Sequence, residues 1–301
     1  MLAEDVYQRM SEKGLAEIVG GGDTQLVASQ NFTALRYLTQ LEPQMSVLDF
    51  GCGCGRLAIP LLEYLSEEGS YVGVDIVPKL VEFCNQEIEP YYSNASFFRS
   101  TDSNKLYDKF VESKQVSIPT INDLEELGNK RFDVICAFSV FTHLTMEDAQ
   151  KYFVQLTQLL RPGGKLIVSC LLINESSRNL IRNEKSAIRF GLEVQEDQNI
   201  YFIDDNLTAV AFQDQKFISL AMEAGLDPLI TYYGQWCGRQ RRRSYQDIMV
   251  FSDVSILPAN FNAEEYLRMN PDLPWKEDPV GILEAEKHFL EHGYYENRSW
   301  N

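Results

Sequence analysis

The stretch Val47-Leu48-Asp49-Phe50-Gly51-Cys52-Gly53-Cys54-Gly55-Arg56 decides the fold. An apolar strand, Ser46–Phe50, runs into three glycines at alternate positions and then into a helix predicted over 57–65. Glycines at such a turn tolerate positive φ and let the backbone approach a ligand closely. The helix start behind them offers unpaired N–H groups to an anionic or polar ligand. The spacing is Gly-x-Gly-x-Gly, not the Gly-x-Gly-x-x-Gly of dinucleotide enzymes. Asp49, two residues ahead of the first glycine, sits badly against a pyrophosphate and suits a ligand that carries an ammonium group.

Outward from this loop, strands and helices alternate. Tyr71–Ile76 reads as a strand, and 79–87 as a helix with Pro78 in its first turn. Strands follow at Ala95–Arg99 and Phe132–Phe138, separated by a long polar stretch over 101–131. A helix over 145–160 keeps Ala149, Tyr152, Phe153 and Leu156 on one face, with Thr145 and Asp148 suited to its start. Arg161-Pro162-Gly163-Gly164 stops it, and the near-continuous apolar run Lys165–Leu172 reads as a strand buried on both faces. A helix over 214–224 and strands at 229–233 and 247–251 complete the series, which predicts a parallel, doubly wound α/β sheet. Residues 1–45 read as a helical cap, residues 46–254 as the ligand-binding domain and residues 255–301 as a short helical tail punctuated by prolines.

Asp75 closes the second strand, where a carboxylate can accept both hydroxyls of a ribose; taken alone it would also serve as a helix cap.

With these residues in place, the chain resembles the class I S-adenosylmethionine-dependent methyltransferases over roughly residues 45–252. The family's first motif matches Asp49–Gly55, its ribose acid Asp75, its fourth strand Phe132–Phe138, and its Leu-Arg-Pro-Gly-Gly Leu160–Gly164. The resemblance implies a Rossmann-like, seven-stranded sheet with helices on both faces and one antiparallel strand among the last two. It implies that Gly51, Cys52 and Gly53 put backbone against the methionine part of the cofactor, with Asp49 near its amino group. Asp75 would take the ribose and Ile76 would pack on adenine. Asp102, with Asp123 as a rival, would meet the adenine amino group, and Phe138 and Ser139 would line the sulfonium end.

Methyl transfer needs an aligned nucleophile and exclusion of water, and a base where the nucleophile is a hydroxyl or a protonated amine. His143, in Ser139-Val140-Phe141-Thr142-His143-Leu144, is the candidate base; the alternative is a histidine that caps the next helix or packs beside the cofactor. Gly234-Gln235-Trp236-Cys237-Gly238-Arg239 carries into Arg241, Arg242 and Arg243. Arg239 and Arg241 are candidates for capture of an anionic substrate group, and Trp236 for stacking on a ring, against a solvated loop and a packing tryptophan. This segment, with Gln246-Asp247, is similar to a bacterial subgroup associated with surface glycans, which implies a saccharide or nucleotide-linked sugar as methyl acceptor.

The 301 residues carry 27 Lys+Arg against 44 Asp+Glu, a formal charge of −17. Such a balance argues against nucleic acid or an anionic membrane as the default partner; the small-molecule acceptor is what the resemblance implies. The six cysteines form no Cys-x-x-Cys pair and read as buried thiols of a cytoplasmic protein. The start Met1-Leu2-Ala3-Glu4-Asp5 lacks the features of a secretory signal, and no apolar run reaches the length of about 18 residues that a membrane span needs. No metal site is expected; His288 and His292 stand at helical i, i+4 spacing in the tail, with Glu291 and Glu296 near but no third ligand at motif spacing. The tail is expected to serve protein docking or a homodimer contact.

Overall fold

The computed structural model describes residues 3–101, 120–121, 124–127, 130–188, 190, 200–202, 208–240, 244–253, 261–289 and 298–299. It opens with three helices, α1 (Ala3–Glu12), α2 (Leu15–Ile18) and α3 (Thr24–Thr39). Asp23 begins α3 by accepting the Leu26 N–H at 2.9 Å, directly after the glycine run at 20–22, whose three φ angles are all positive.

The central sheet follows. Its elements begin with β1 (Ser46–Phe50), α4 (Ala58–Tyr64), β2 (Ser70–Asp75), α5 (Pro78–Glu87), β3 (Ala95–Ser100), β4 (Thr120–Ile121) and β5 (Phe132–Ala137). They continue with α6 (Met146–Leu159), β6 (Leu160–Cys170), β7 (Leu172–Ile173), α7 (Glu175–Arg182), β8 (Ile200–Phe202) and β9 (Val210–Gln213). The series closes with α8 (Asp214–Glu223), β10 (Leu226–Tyr232) and β11 (Asp247–Asp253). The strand order is β10-β11-β6-β5-β1-β2-β3-β4, with β11 antiparallel to both neighbours and the other pairings parallel. The seven expected strands are present, and the two-residue β4 adds an eighth at the edge. Chain order reverses between β1 and β5, so a crevice opens at their carboxyl ends, where doubly wound sheets bind ligands.

The sheet is buried on both faces. One face packs around Phe50, Phe141, Phe153, Phe217 and Phe251; the other packs against the N-terminal helices, α4 and α5. Phe153 is the hub of the first: its ring lies 4.8 Å from Phe141, 5.2 Å from Phe217 and 5.7 Å from Phe251. The helical period of α6 therefore ties β11 to α8 through one residue.

Three features differ from the sequence reading. First, β6 starts at Leu160 rather than after the glycine pair, because Leu160 already pairs with Phe132 and a register shift between Phe132 and Val134 absorbs the bend. Second, the segment after Cys170 builds a three-stranded sheet, β7-β9-β8, with α7 beside it. Asn174 and Ser177 form a reciprocal cap on α7, a variant of the familiar Ser/Thr-x-x-Glu pattern. Third, β10 begins three residues early, at Leu226.

In the tail, α9 (Ala263–Met269) and α10 (Pro279–His288) share a small core of Ala263, Tyr266, Leu267, Ala285 and Phe289. All six cysteines are unpaired and buried. Among the described residues no helix is long and apolar enough to cross a membrane, and no group of three metal-ligating side chains occurs. His292, Glu291 and Glu296 lie outside the described residues.

Phe153 is fully buried, so Phe153→Ala removes an aromatic from the centre of a four-ring cluster. The expected loss is about 3–5 kcal/mol of unfolding free energy, read as a lower urea midpoint at unchanged slope. A loss below about 1 kcal/mol would show that the cluster does not organise this face.

Candidate active site

The first turn after β1 is built by two strands together. The N–H groups of Gly51 and Cys52 both donate to the Val74 carbonyl, at 2.8 and 3.1 Å, which curls the chain over the end of β2. Gly51 and Gly53 hold φ of 83° and 57°. A Cβ on Gly51 would lie 2.3 Å from Val140 Cγ2, and one on Gly53 would lie 2.9 Å from Val19 Cγ1. Glycine is required here by conformation and by space alike.

Asp75 locks the turn from the β2 side. One carboxylate oxygen accepts the Gly53 N–H at 2.8 Å and the other accepts the Val77 N–H at 2.9 Å. Burial pushes its pKa up, against these amides and that of Ile76, which favour the charged form. A carboxylate has about four acceptor positions, so capacity remains for a ligand's hydroxyls.

A cleft of about 920 Å³, mouth included, opens over this turn. Gly51, Cys52, Gly53, Asp75, Ile76, Phe138, Ser139 and His143 all line it, so eight expected site residues from three strand ends come together. Sequence reasoning missed Val19, Arg56, Leu80, Asp148 and Tyr152 on the same walls. Of these, Arg56 was nearest to legible, since it ends the glycine run. Its guanidinium donates to the Val19 carbonyl at 3.0 Å and the Gly21 carbonyl at 3.5 Å, and this fastens the N-terminal helices to the cleft. Asp148 is already engaged in the α6 cap, accepting the Thr145 hydroxyl at 2.6 Å.

Asp49 stands apart. It is 2% exposed and lies beneath the turn rather than on the cleft wall. Tyr71 donates to one of its oxygens at 2.9 Å and the Cys136 thiol to the other at 3.5 Å. Burial pushes its pKa up to about 6, which those hydrogen bonds only partly offset. Both of its oxygens are thus engaged beneath the turn.

Trp236 and Arg239 are not on the cleft. Trp236 is fully buried, packs edge-on against Phe190 at 5.7 Å, and donates its indole N–H to Asp247 at 2.7 Å. Arg239 pairs with Asp247 at 3.2 Å, lies 4.8 Å over the Tyr233 ring and reaches Asn174 at 3.3 Å. Its side chain is 7% exposed, so it is spent inside the protein rather than offered to an anion. The reason is Asp247, a fully buried carboxylate that also accepts the Leu172 and Gly234 N–H groups at 2.7 Å each. A buried charge needs such a set of partners. Asp102, Asp123 and Arg241 lie outside the described residues.

The high pKa of Asp49 fixes a pH dependence. The folded chain holds this proton up to about pH 6, whereas an unfolded aspartate releases it near pH 4. Stability contributed by this site is therefore highest below pH 4 and falls as pH rises to 6. Asp49→Asn removes that limb: relative to the parent it gains up to about 3 kcal/mol between pH 4 and 7, measured by urea unfolding at each pH. A pH-independent difference would refute the shifted carboxyl.

Comparison with known proteins follows the same lines. Residues 41–201 match a family model described as a methyltransferase domain. A tRNA N(3)-cytidine methyltransferase of Danio rerio is 25% identical over 61% of this chain and 45% of its own length. The ubiquinone biosynthesis O-methyltransferase of Rickettsia typhi is 26% identical over 51% of this chain and 48% of its own. The chain thus spans about half the length of these curated relatives. Among solved structures, a protein of Pyrococcus horikoshii superposes with a TM-score of 0.50 at 14% identity, covering 78% of this chain and 93% of that one. A magnesium protoporphyrin IX methyltransferase of Synechocystis, solved with bound SAH, gives 0.49 at 20% identity over 83% and 98%. The glycine turn, the acid at the end of β2 and the match over 41–201 agree, and the chain belongs to the methyltransferase domain family.

Proposed function

We propose that this chain transfers a methyl group from S-adenosylmethionine to a small-molecule acceptor by in-line displacement. The observation that carries the reading is the joint placement of the Gly51–Gly53 turn and Asp75 in one cleft at the switch between β1 and β5. A side chain at Gly51 or Gly53 would run into Val140 or Val19, so the turn presents bare backbone, which fits the methionine part of the cofactor. Asp75 holds acceptor capacity for the ribose, and Ile76 offers an apolar surface for adenine. Phe138 and Ser139 border the sulfonium end. When bound, the cofactor supplies a methyl group on a sulfur that is already a good leaving group. What remains for the chain is alignment and exclusion of water. His143, on the cleft wall, would take the proton of a hydroxyl acceptor such as a saccharide or nucleotide-linked sugar.

In this reading residues 1–45 form a cap, 46–254 the catalytic domain, and 255–301 an appended module with its own small core, suited to docking or a homodimer contact. The Arg239 placement withdraws one of the two groups expected to hold an anionic acceptor, so an uncharged acceptor hydroxyl is favoured.

A second reading, an RNA acceptor, rests on the tRNA cytidine methylation by which the Danio rerio relative is known. The charge of −17 weighs against it, because a phosphate backbone is bound through excess positive charge.

The test is calorimetric titration with S-adenosylhomocysteine, run beside NAD. Binding of the first alone is expected, and Asp75→Ala should weaken it by about tenfold or more through lost ribose contacts and a loosened turn. Absence of binding to the parent chain would sink the reading. Labelled methyl from S-adenosylmethionine, offered to separated RNA and small-molecule extracts, then decides between the acceptors.

A further inference from the structure

Ser139 carries backbone strain at the edge of the cleft. It is one of three non-glycine residues with positive φ among those described, at 59°, and the only one of the three that lines the cleft. A left-handed conformation is unfavourable for a residue with a Cβ and persists only where surrounding groups impose it.

Those groups are identifiable. The Ser139 N–H donates to Ser169 Oγ at 2.7 Å. The Ser169 hydroxyl in turn donates to Gln246 Oε1 at 2.5 Å, and the Ser139 hydroxyl donates to the same oxygen at 3.2 Å. One carboxamide oxygen thus orients two hydroxyls. Because the proton of Ser169 is directed to Gln246, its lone pairs are free to receive the Ser139 amide. The three residues come from the ends of β5, β6 and β11, and only Ser139 belongs to the cleft wall. Gln246 is also joined by a peptide bond to Asp247, whose position is set by four donors. The carboxamide therefore works from a fixed base.

We infer that Gln246 is a positioning residue for the cofactor: acting through Ser169, it holds Ser139 in its left-handed conformation and so fixes the wall at the sulfonium end. The inference rests on the cofactor reading above. It assigns to Gln246 no contact with the cofactor or the acceptor. Its role differs from that of a general stabilising residue, because a glycine at 139 adopts the same backbone without help.

That difference supplies the experiment. S-adenosylhomocysteine is titrated calorimetrically into the full chain and its variants. Gln246→Leu should weaken binding about tenfold, the scale of a left-handed preference at one residue. Gln246→Glu, which keeps an acceptor oxygen at the same reach, should bind as the parent does. Ser139→Gly combined with Gln246→Leu should recover most of the loss. Should the leucine variant not fold, Gln246→Asn, one methylene too short to reach both hydroxyls, takes its place with the same expectation. Parent-like affinity in the leucine or asparagine variant overturns the inference, as does a loss that Ser139→Gly fails to repair. A parent chain that does not bind S-adenosylhomocysteine overturns the cofactor reading instead, and this inference falls with it.

Discussion

The bond between Asp75 and the Gly53 amide is the constraint on which the site depends. It joins the end of β2 to the turn that leaves β1, and the same carboxylate fixes the first turn of α5 through Val77. A bare glycine turn is the least ordered kind of chain, since glycine loses the most conformational freedom on folding. Here that freedom is removed by three amide bonds, two to the Val74 carbonyl and one to Asp75. The turn is thereby preorganised, and a ligand meets backbone groups already in position. In the proposed reading Asp75 is both scaffold and ligand acceptor. A carboxylate can be both because each oxygen accepts more than one hydrogen bond.

Asp247 plays the corresponding part at the other end of the crevice. Its four donors come from the β6–β7 link, the Gly234–Arg239 loop and the Trp236 indole, so one buried charge gathers the small β7-β9-β8 sheet onto the main one. Burial raises its pKa; the Trp236 indole, the Leu172 and Gly234 amides and, after them, the Arg239 cation oppose that rise. A mobile arginine could not do this. The planar guanidinium is held between the Tyr233 ring, Asn174 and Asp247. The two carboxylates thus share one device, backbone amides, to which Asp247 adds an indole N–H and a cation.

Much of this was legible in the sequence because it is local. The glycine spacing, the acid closing the second strand and the helical period of α6 all lie within one or two elements, and the structure places each where expected. What was not legible depends on distance along the chain. Arg239 reads as a free cation until Asp247 is seen beneath it, and Trp236 reads as a stacking platform until its indole is found facing inward. Both readings miss Asp247, the inward partner of each side chain. The β7-β9-β8 sheet escaped notice because its strands are two to four residues long, too short for a period to show. The Ser139–Ser169–Gln246 set spans 107 residues, and no local pattern encodes it.

The burial of Arg239 also changes what the acidic charge means. A cluster of arginines in a chain of −17 first reads as a binding site because it is an exception to the composition. Once Arg239 is assigned to Asp247, this one arginine has an internal cause: a buried carboxylate demands a cation, and the loop before β11 supplies it. On the cleft itself the polar side chains are Arg56, Asp75, Ser100, Ser139, His143, Asp148 and Tyr152. Arg56 is engaged with the Val19 and Gly21 carbonyls, Asp75 with backbone amides, and Asp148 with the α6 cap. These groups hold the walls of the cleft in place.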